Sequence, residues 1–162
     1  MMENADPQPR GQVLYVMVGP PGTGKSSYIR KYLPEALRLS LDDLRLMLSG
    51  RPFDLRYERM VSVLGDALLR VTLSRLNDWR RDCVYDATNV SRERRSPILA
   101  LAREFDLPAV AVFTDTPIEV ALARNRRRRR KVPEEVVERF YRLLEPPSAD
   151  EGFNEVVVVR DW

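Results

Sequence analysis

Eight consecutive residues carry the plainest chemistry in the chain. Gly19-Pro20-Pro21-Gly22-Thr23-Gly24-Lys25-Ser26 matches G-x-x-x-x-G-K-[ST] in full, directly after an apolar run and directly before a helical pattern. Glycines let the backbone curl until successive N–H groups converge on phosphate oxygens, at a helix N-terminus whose dipole favours anions. Pro20 and Pro21 have no N–H. The cradle therefore falls to Gly22, Thr23, Gly24, Lys25 and Ser26, with Ser27 beside them. Lys25 brings an ammonium to the β- and γ-phosphates, and Ser26 a hydroxyl to Mg²⁺. The motif implies a bound nucleoside triphosphate. None of the three lysines (Lys25, Lys31, Lys131) follows an Asn, so the guanine-reading Asn-Lys-x-Asp is absent, and no apolar strand pattern ends in Asp-Glu as in motor ATPases. A small phosphotransferase remains.

Two further groups lie where ligands reach an open parallel sheet, at the carboxyl ends of strands. The first is Ser40-Leu41-Asp42-Asp43-Leu44-Arg45. Asp42 and Arg45, three apart, share one helix face. There a carboxylate accepts a hydroxyl proton and a guanidinium grips an acceptor's negative charge. A second reading makes Asp42 or Asp43 a cap for first-turn amides and leaves Arg45 solvated. The other group is Asp86-Ala87-Thr88-Asn89, closing an apolar strand. Asp86 is placed to orient a Mg²⁺-bound water or to hold a lid arginine; ordinary turn chemistry fits the same residue types. Arg92, Arg94 and Arg95 read as solvated.

The charge has one focus. The chain has 162 residues, 27 Lys+Arg against 24 Asp+Glu, and net +3. Residues 124–131 read Arg-Asn-Arg-Arg-Arg-Arg-Arg-Lys, and without them 20 basic residues face 24 acidic ones, a net of −4. Such a run serves as a lid that brings an arginine to the migrating phosphoryl group, or as a patch for a nucleic-acid backbone, or as a solvated loop in a chain with 24 Arg and 3 Lys.

Elements that position these groups alternate from residue 13 onward. Strands are predicted at 13–18, 37–41, 83–87, 109–113 and 156–159, and helices at 25–32, 42–49, 56–79, 91–105, 116–126 and 133–144. Met60, Leu64, Leu68 and Val71 predict the buried stripe of the long helix. Ser91 suits an N-cap, and Pro117 and Pro133 a first helical turn. The alternation predicts an α/β fold with a mostly parallel five-stranded sheet covered on both faces. One domain is expected over 12–162, with a flexible tail at 1–11 and the lid near 124–131. Histidine is absent, which excludes Ser-His-Asp and Cys-His catalysis and histidine-ligated metals. The lone Cys83 reads as buried packing and suits a reducing cytoplasm. No run approaches the roughly 20 apolar residues of a membrane span, and the first dozen residues lack a signal-like apolar core.

Taken together, the phosphate loop, Asp42-Asp43-Leu44-Arg45, Asp86-Ala87-Thr88-Asn89 with Arg94-Arg95, the basic run before Val132-Pro133, and Glu145-Pro146-Pro147-Ser148 with Glu151-Gly152-Phe153 resemble the kinase domain of polynucleotide 5′-hydroxyl kinases. The resemblance spans roughly 13–159. It implies an adenylate-kinase-like three-layer core and ATP with Mg²⁺. It also implies Asp42 as general base, Arg45 as ligand of an acceptor phosphate, and Thr88 nearby with Asp86 and Asn89. A lid arginine on the donor phosphates follows as well, placed at Arg128 with Arg124 in support. The implied acceptor is a 5′-OH end of DNA or RNA, with end-healing or ligase proteins as partners. A sugar, nucleoside or antibiotic acceptor on the same scaffold, or a nucleic-acid-stimulated ATPase without acceptor, stays open. Many members of that family carry a fused 3′-phosphatase, whereas no Asp-x-Asp-Gly motif occurs here.

Overall fold

Strand β1 (Leu14–Val18) sends its side chains alternately to two helical layers, and this alternation organises the molecule. Leu14, Val16 and Val18 enter one cluster with Cys83, Tyr85, Ala109, Ala111 and Phe113; Met17 enters a second with Ile29, Val84 and Val112. The remaining strands are β2 (Leu37–Ser40), β3 (Cys83–Asp86), β4 (Ala109–Thr114) and β5 (Glu155–Val159). All pair in parallel, in the order β2-β3-β1-β4-β5. β3 and β4 are buried along their whole lengths, which is why they read as unbroken apolar runs. The computed structural model describes residues 11–52 and 54–160. Apart from Gly11, the tail expected at 1–11 lies outside them.

Helices α1 (Lys25–Tyr32), α2 (Leu41–Ser49), α3 (Glu58–Trp79), α4 (Arg92–Glu104), α5 (Ile118–Arg127) and α6 (Glu134–Arg142) fall where periodicity places them. Ser91 caps α4, accepting from the Arg94 amide. Pro117 and Pro133 sit one residue ahead of the first turn, as N-caps of α5 and α6. α2, α3 and α4 supply the larger cluster, while Ile29 of α1 supplies the smaller.

The stripe expected on α3 needs correcting. Val61, Gly65, Leu69, Thr72, Leu73 and Leu76 are buried, whereas Met60, Leu68 and Val71 are exposed. α3 carries two adjacent apolar stripes, and periodicity alone does not say which meets the sheet. Gly65 decides it: a Cβ there would stand 2.5 Å from Leu41 Cδ2 and 3.1 Å from the Tyr85 hydroxyl, so only a glycine face fits this closely over α2 and β3. Cys83 is buried, as expected, and burial pushes its thiol up to about 12. Among the described residues no helix is long and apolar enough to cross a membrane.

Candidate active site

Gly19 leaves β1 and donates its amide to the Thr88 carbonyl at 2.9 Å, so the loop starts from the end of β3. Gly22 (φ 88) and Gly24 (φ 95) take left-handed conformations, and Gly24 is the N-cap of α1. A Cβ on Gly22 would lie 2.6 Å from the Ala121 carbonyl oxygen of α5, which packs directly on the loop. Thr23, fully buried, donates to the Pro20 carbonyl at 2.9 Å and lies 2.6 Å from the Thr114 hydroxyl. Thr116 in turn donates to the Thr23 carbonyl at 3.2 Å. The loop is thus braced by the end of β4 and by α5. Sequence reading assigned no role to Thr114 and Thr116, although their place after the central β4 was a usable signal.

Lys25 Nζ donates to the carbonyls of Gly19 and Pro20 at 2.7 and 2.9 Å. Desolvation pushes its pKa down from 10.5 to about 8; the carboxylates of Asp86 and Asp42 oppose this, and the Arg128 guanidinium adds to it. One ammonium therefore feels the phosphate loop, both candidate carboxylates and Arg128 of the basic run at once. Ser26 lies in the first turn of α1, and its hydroxyl hydrogen-bonds to no other described residue. Ser27 accepts from Arg30 at 3.2 Å.

Ser40, the last residue of β2, also caps α2 by accepting from the Asp43 amide at 3.2 Å. Neither carboxylate is needed as the cap. Asp42 is 84% exposed and takes a 2.6 Å hydrogen bond from Arg45 Nη1. Arg45 is not solvated: its Nε and Nη2 donate to both oxygens of Glu58, at 2.8 and 3.0 Å. Asp86 is buried and paired with Arg38 of β2 at 2.7 Å, not with a lid arginine, and Arg38 also reaches Asp43 at 2.9 Å. Thr88 is half-buried and contributes its carbonyl to the loop. Asn89, expected toward the acceptor, turns inward; its amide donates to the Met17 carbonyl at 2.8 Å and its φ is 44°.

Arg95 corrects another expectation. It is fully buried, donates Nε and Nη2 to Glu151 at 2.8 and 2.7 Å, and gives Nη1 to the Asn89 carbonyl at 2.9 Å. The 3₁₀ turn Ala149–Glu151 is thereby tied to the loop that holds Asn89 and Thr88. Arg92 pairs with Asp150 across the same junction.

Half of the basic run is helical, because arginine is a good helix former and suits the negative end of α5. Asn125, almost fully buried, donates to the Val132 carbonyl at 2.6 Å and accepts from its amide at 3.0 Å, closing residues 126–131 into a loop. Arg126 is held by Glu134. Arg124 is half-buried beside Tyr141, whose hydroxyl donates to the Thr116 carbonyl at 2.8 Å. Arg127, Arg128, Arg129, Arg130 and Lys131 project into solvent.

As a metal site the donors are hard oxygens, the Ser26 hydroxyl and the Asp86 carboxylate. Among the described residues no cluster of three or more His, Cys, Asp or Glu side chains forms a cage. That donor set fits Mg²⁺, which keeps waters and takes phosphate oxygens rather than an all-protein cage.

A family model described as AAA domain (AAA_33) matches residues 14–147. L-seryl-tRNA(Sec) kinase of Methanococcus maripaludis is 24% identical over 141 residues, covering 84% of this chain and 54% of that protein. The chain thus spans about half the length of that curated relative. A chain of the Pnkp1/Rnl/Hen1 RNA repair complex superposes with TM-score 0.68 at 23% identity, covering 83% of this chain and 44% of that one. A gluconokinase from Sinorhizobium meliloti superposes with TM-score 0.58 at 21% identity, covering 93% and 82%. At these identities the structural likenesses are of fold.

Proposed function

The chain belongs to the AAA-domain family AAA_33 and has the α/β fold of P-loop kinases, and from that premise we propose that it moves the γ-phosphate of ATP to the 5′-hydroxyl end of DNA or RNA. The supporting observation is that Lys25 lies within electrostatic reach of Asp42, Asp86 and Arg128. Such shared reach is what a donor loop, an acceptor helix and a lid serving one phosphoryl transfer would require.

The loop amides from Gly22 to Ser26, with Ser27 beside them, hold the phosphates, and Lys25 neutralises them. Asp42 accepts the proton of the attacking hydroxyl, and Arg45, fixed by Glu58, aims that carboxylate. Arg128, supported by Arg124, meets the charge that develops on the phosphoryl oxygens. Thr88, at the end of β3, borders the acceptor. Ser26 and Asp86 would hold Mg²⁺, which supplies charge neutralisation at the phosphates.

Incubation with γ-labelled ATP, Mg²⁺ and 5′-OH oligonucleotides of DNA and of RNA tests the reading directly. Labelled 5′ ends are expected. Asp42→Ala should lose ~10²–10⁴-fold in transfer while binding ATP normally; wild-type transfer in that variant would sink the general-base assignment. A second reading, a small neutral acceptor, is favoured by Arg45, whose donors are spent on Glu58 and Asp42. A phosphate on the acceptor has to displace Glu58 to reach it. Label on a sugar or nucleoside with none on oligonucleotides would select that reading.

A further inference from the structure

Between α3 and α4, a cavity of about 130 Å³ opens beside the candidate acceptor residues. Asp66, Tyr85, Asn89, Glu93, Arg94 and Pro97 line it. Tyr85 is 2% exposed, yet its hydroxyl makes no hydrogen bond to any described residue. No buried side-chain polar atom among the described residues lacks a partner, so this oxygen keeps its access to solvent and stays open to a ligand that bonds to it. Tyr85 lines the cavity, and the charges of Asp66 and Arg94 that border it act on the phenol. Gly65 keeps it reachable, since a Cβ there would stand 3.1 Å away.

The cavity is continuous in sequence and in charge with the site already described. Tyr85 immediately precedes Asp86, Asn89 follows Thr88, and the Arg45 guanidinium lies close enough to act on the Tyr85 phenol. Glu58, Ser62 and Asp66 follow one another at four-residue spacing along one side of α3. Glu58 holds Arg45, Ser62 takes a 3.2 Å hydrogen bond from Arg94, and Asp66 borders the cavity.

Two carboxylates against one guanidinium repel a phosphate. They suit a group that donates hydrogen bonds through hydroxyl or N–H. The volume is close to that of an engineered cavity that accepts a single six-membered ring, about 150 Å³. We propose that this cavity is an acceptor subsite for one neutral, hydroxyl-bearing ring, the sugar of the terminal nucleotide, with the Tyr85 hydroxyl and Asp66 as its hydrogen-bonding groups. The assignment rests on the phosphotransfer reading above for its place in a reaction, but not for the binding itself.

The test uses the full chain and uridine as a neutral probe, followed by NMR, with transfer to a 5′-OH oligonucleotide measured in parallel. Uridine should shift the resonances of Tyr85 and of amides near Asp66 and Arg94. Tyr85→Phe should weaken its binding, and raise the KM for the oligonucleotide, by roughly three- to tenfold, the usual worth of one neutral hydrogen bond. The KM for ATP and kcat should hold. Asp66→Asn, an exposed change that leaves the fold alone, should weaken uridine in the same sense. Unaltered uridine binding in Tyr85→Phe, or shifts confined to other surfaces, would overturn the subsite. If uridine binds at Tyr85 but no acceptor is labelled, the reaction falls and the subsite stands. If oligonucleotides are labelled and Tyr85→Phe leaves their KM unchanged, the subsite falls and the reaction stands.

Discussion

Lys25 sets the proton balance of the donor site. Its ammonium is desolvated against its own loop, with a pKa near 8 in place of 10.5. Between those values the unfolded chain holds more protons than the folded one, so this group's contribution to stability rises with pH. The penalty of keeping it charged is complete below about pH 8 and fades toward 10.5. Wild type should therefore gain stability relative to Lys25→Met across that window, as read by thermal unfolding at stepped pH. Polyphosphate pairing raises the same pKa, so ATP binding just above pH 8 should take up protons, and Lys25→Met should abolish the uptake. Calorimetry in buffers of different ionisation enthalpy measures it. At this scale the sequence named Lys25, Asp42, Arg45 and Asp86 from type and spacing. It did not name the partners of the arginines: Glu58 for Arg45, Arg38 for Asp86, Glu151 for Arg95. Those pairs join residues 13, 48 and 56 positions apart. No local pattern carries such information, and an arginine bound for a buried pair looks the same in sequence as one bound for water.

Two elements are held by single side chains. Asn125 clasps both backbone groups of Val132, and replacing it with Ala leaves this half-buried N–H and C=O without that partner. The expected cost is about 1–3 kcal/mol, together with a raised KM for ATP as the lid loses its shape, measured by urea unfolding and by kinetics. The 3₁₀ turn depends on Arg95 and Glu151 in the same way. Glu151→Ala strands a fully buried guanidinium, and a loss of about 3–5 kcal/mol is expected. A paired Arg95→Met, Glu151→Leu variant should recover most of that loss. Helices and strands themselves were legible, because β3 and β4 are almost wholly apolar and the helical segments keep a helical period, with Ser91 as a readable cap of α4. The face of α3 was not. Met60, Leu64, Leu68 and Val71 form as good a stripe as the buried one, and only the depth to which Gly65 lets the helix sink separates them.

Across the whole molecule, a mildly acidic body carries its excess positive charge in one run, residues 124–131. If that run also touches a nucleic-acid backbone, acceptor binding falls with salt by roughly 0.7 in log K per phosphate contacted, per log unit of salt. Replacing Arg129, Arg130 and Lys131 with Ala should flatten the salt dependence of the KM for an oligonucleotide and leave that for a nucleoside unchanged. The acceptor side is built on the opposite plan. Ser40 is paired with Asp86 in the sheet and at the same time caps α2. Asp42 thus stands two residues from a hydrogen-bonded strand, with no linker between. Its backbone is tied to the edge of the sheet, and its exposed carboxylate is held by Arg45. On the far side the phosphate loop packs on α5, through Gly22 and Ala121, and on β4, through Thr23 and Thr114. On the phosphotransfer reading proposed above, the molecule would work as an anvil and a hammer: Asp42 stands on the edge of the sheet, and the timing of each turnover would belong to whatever closes over the nucleotide.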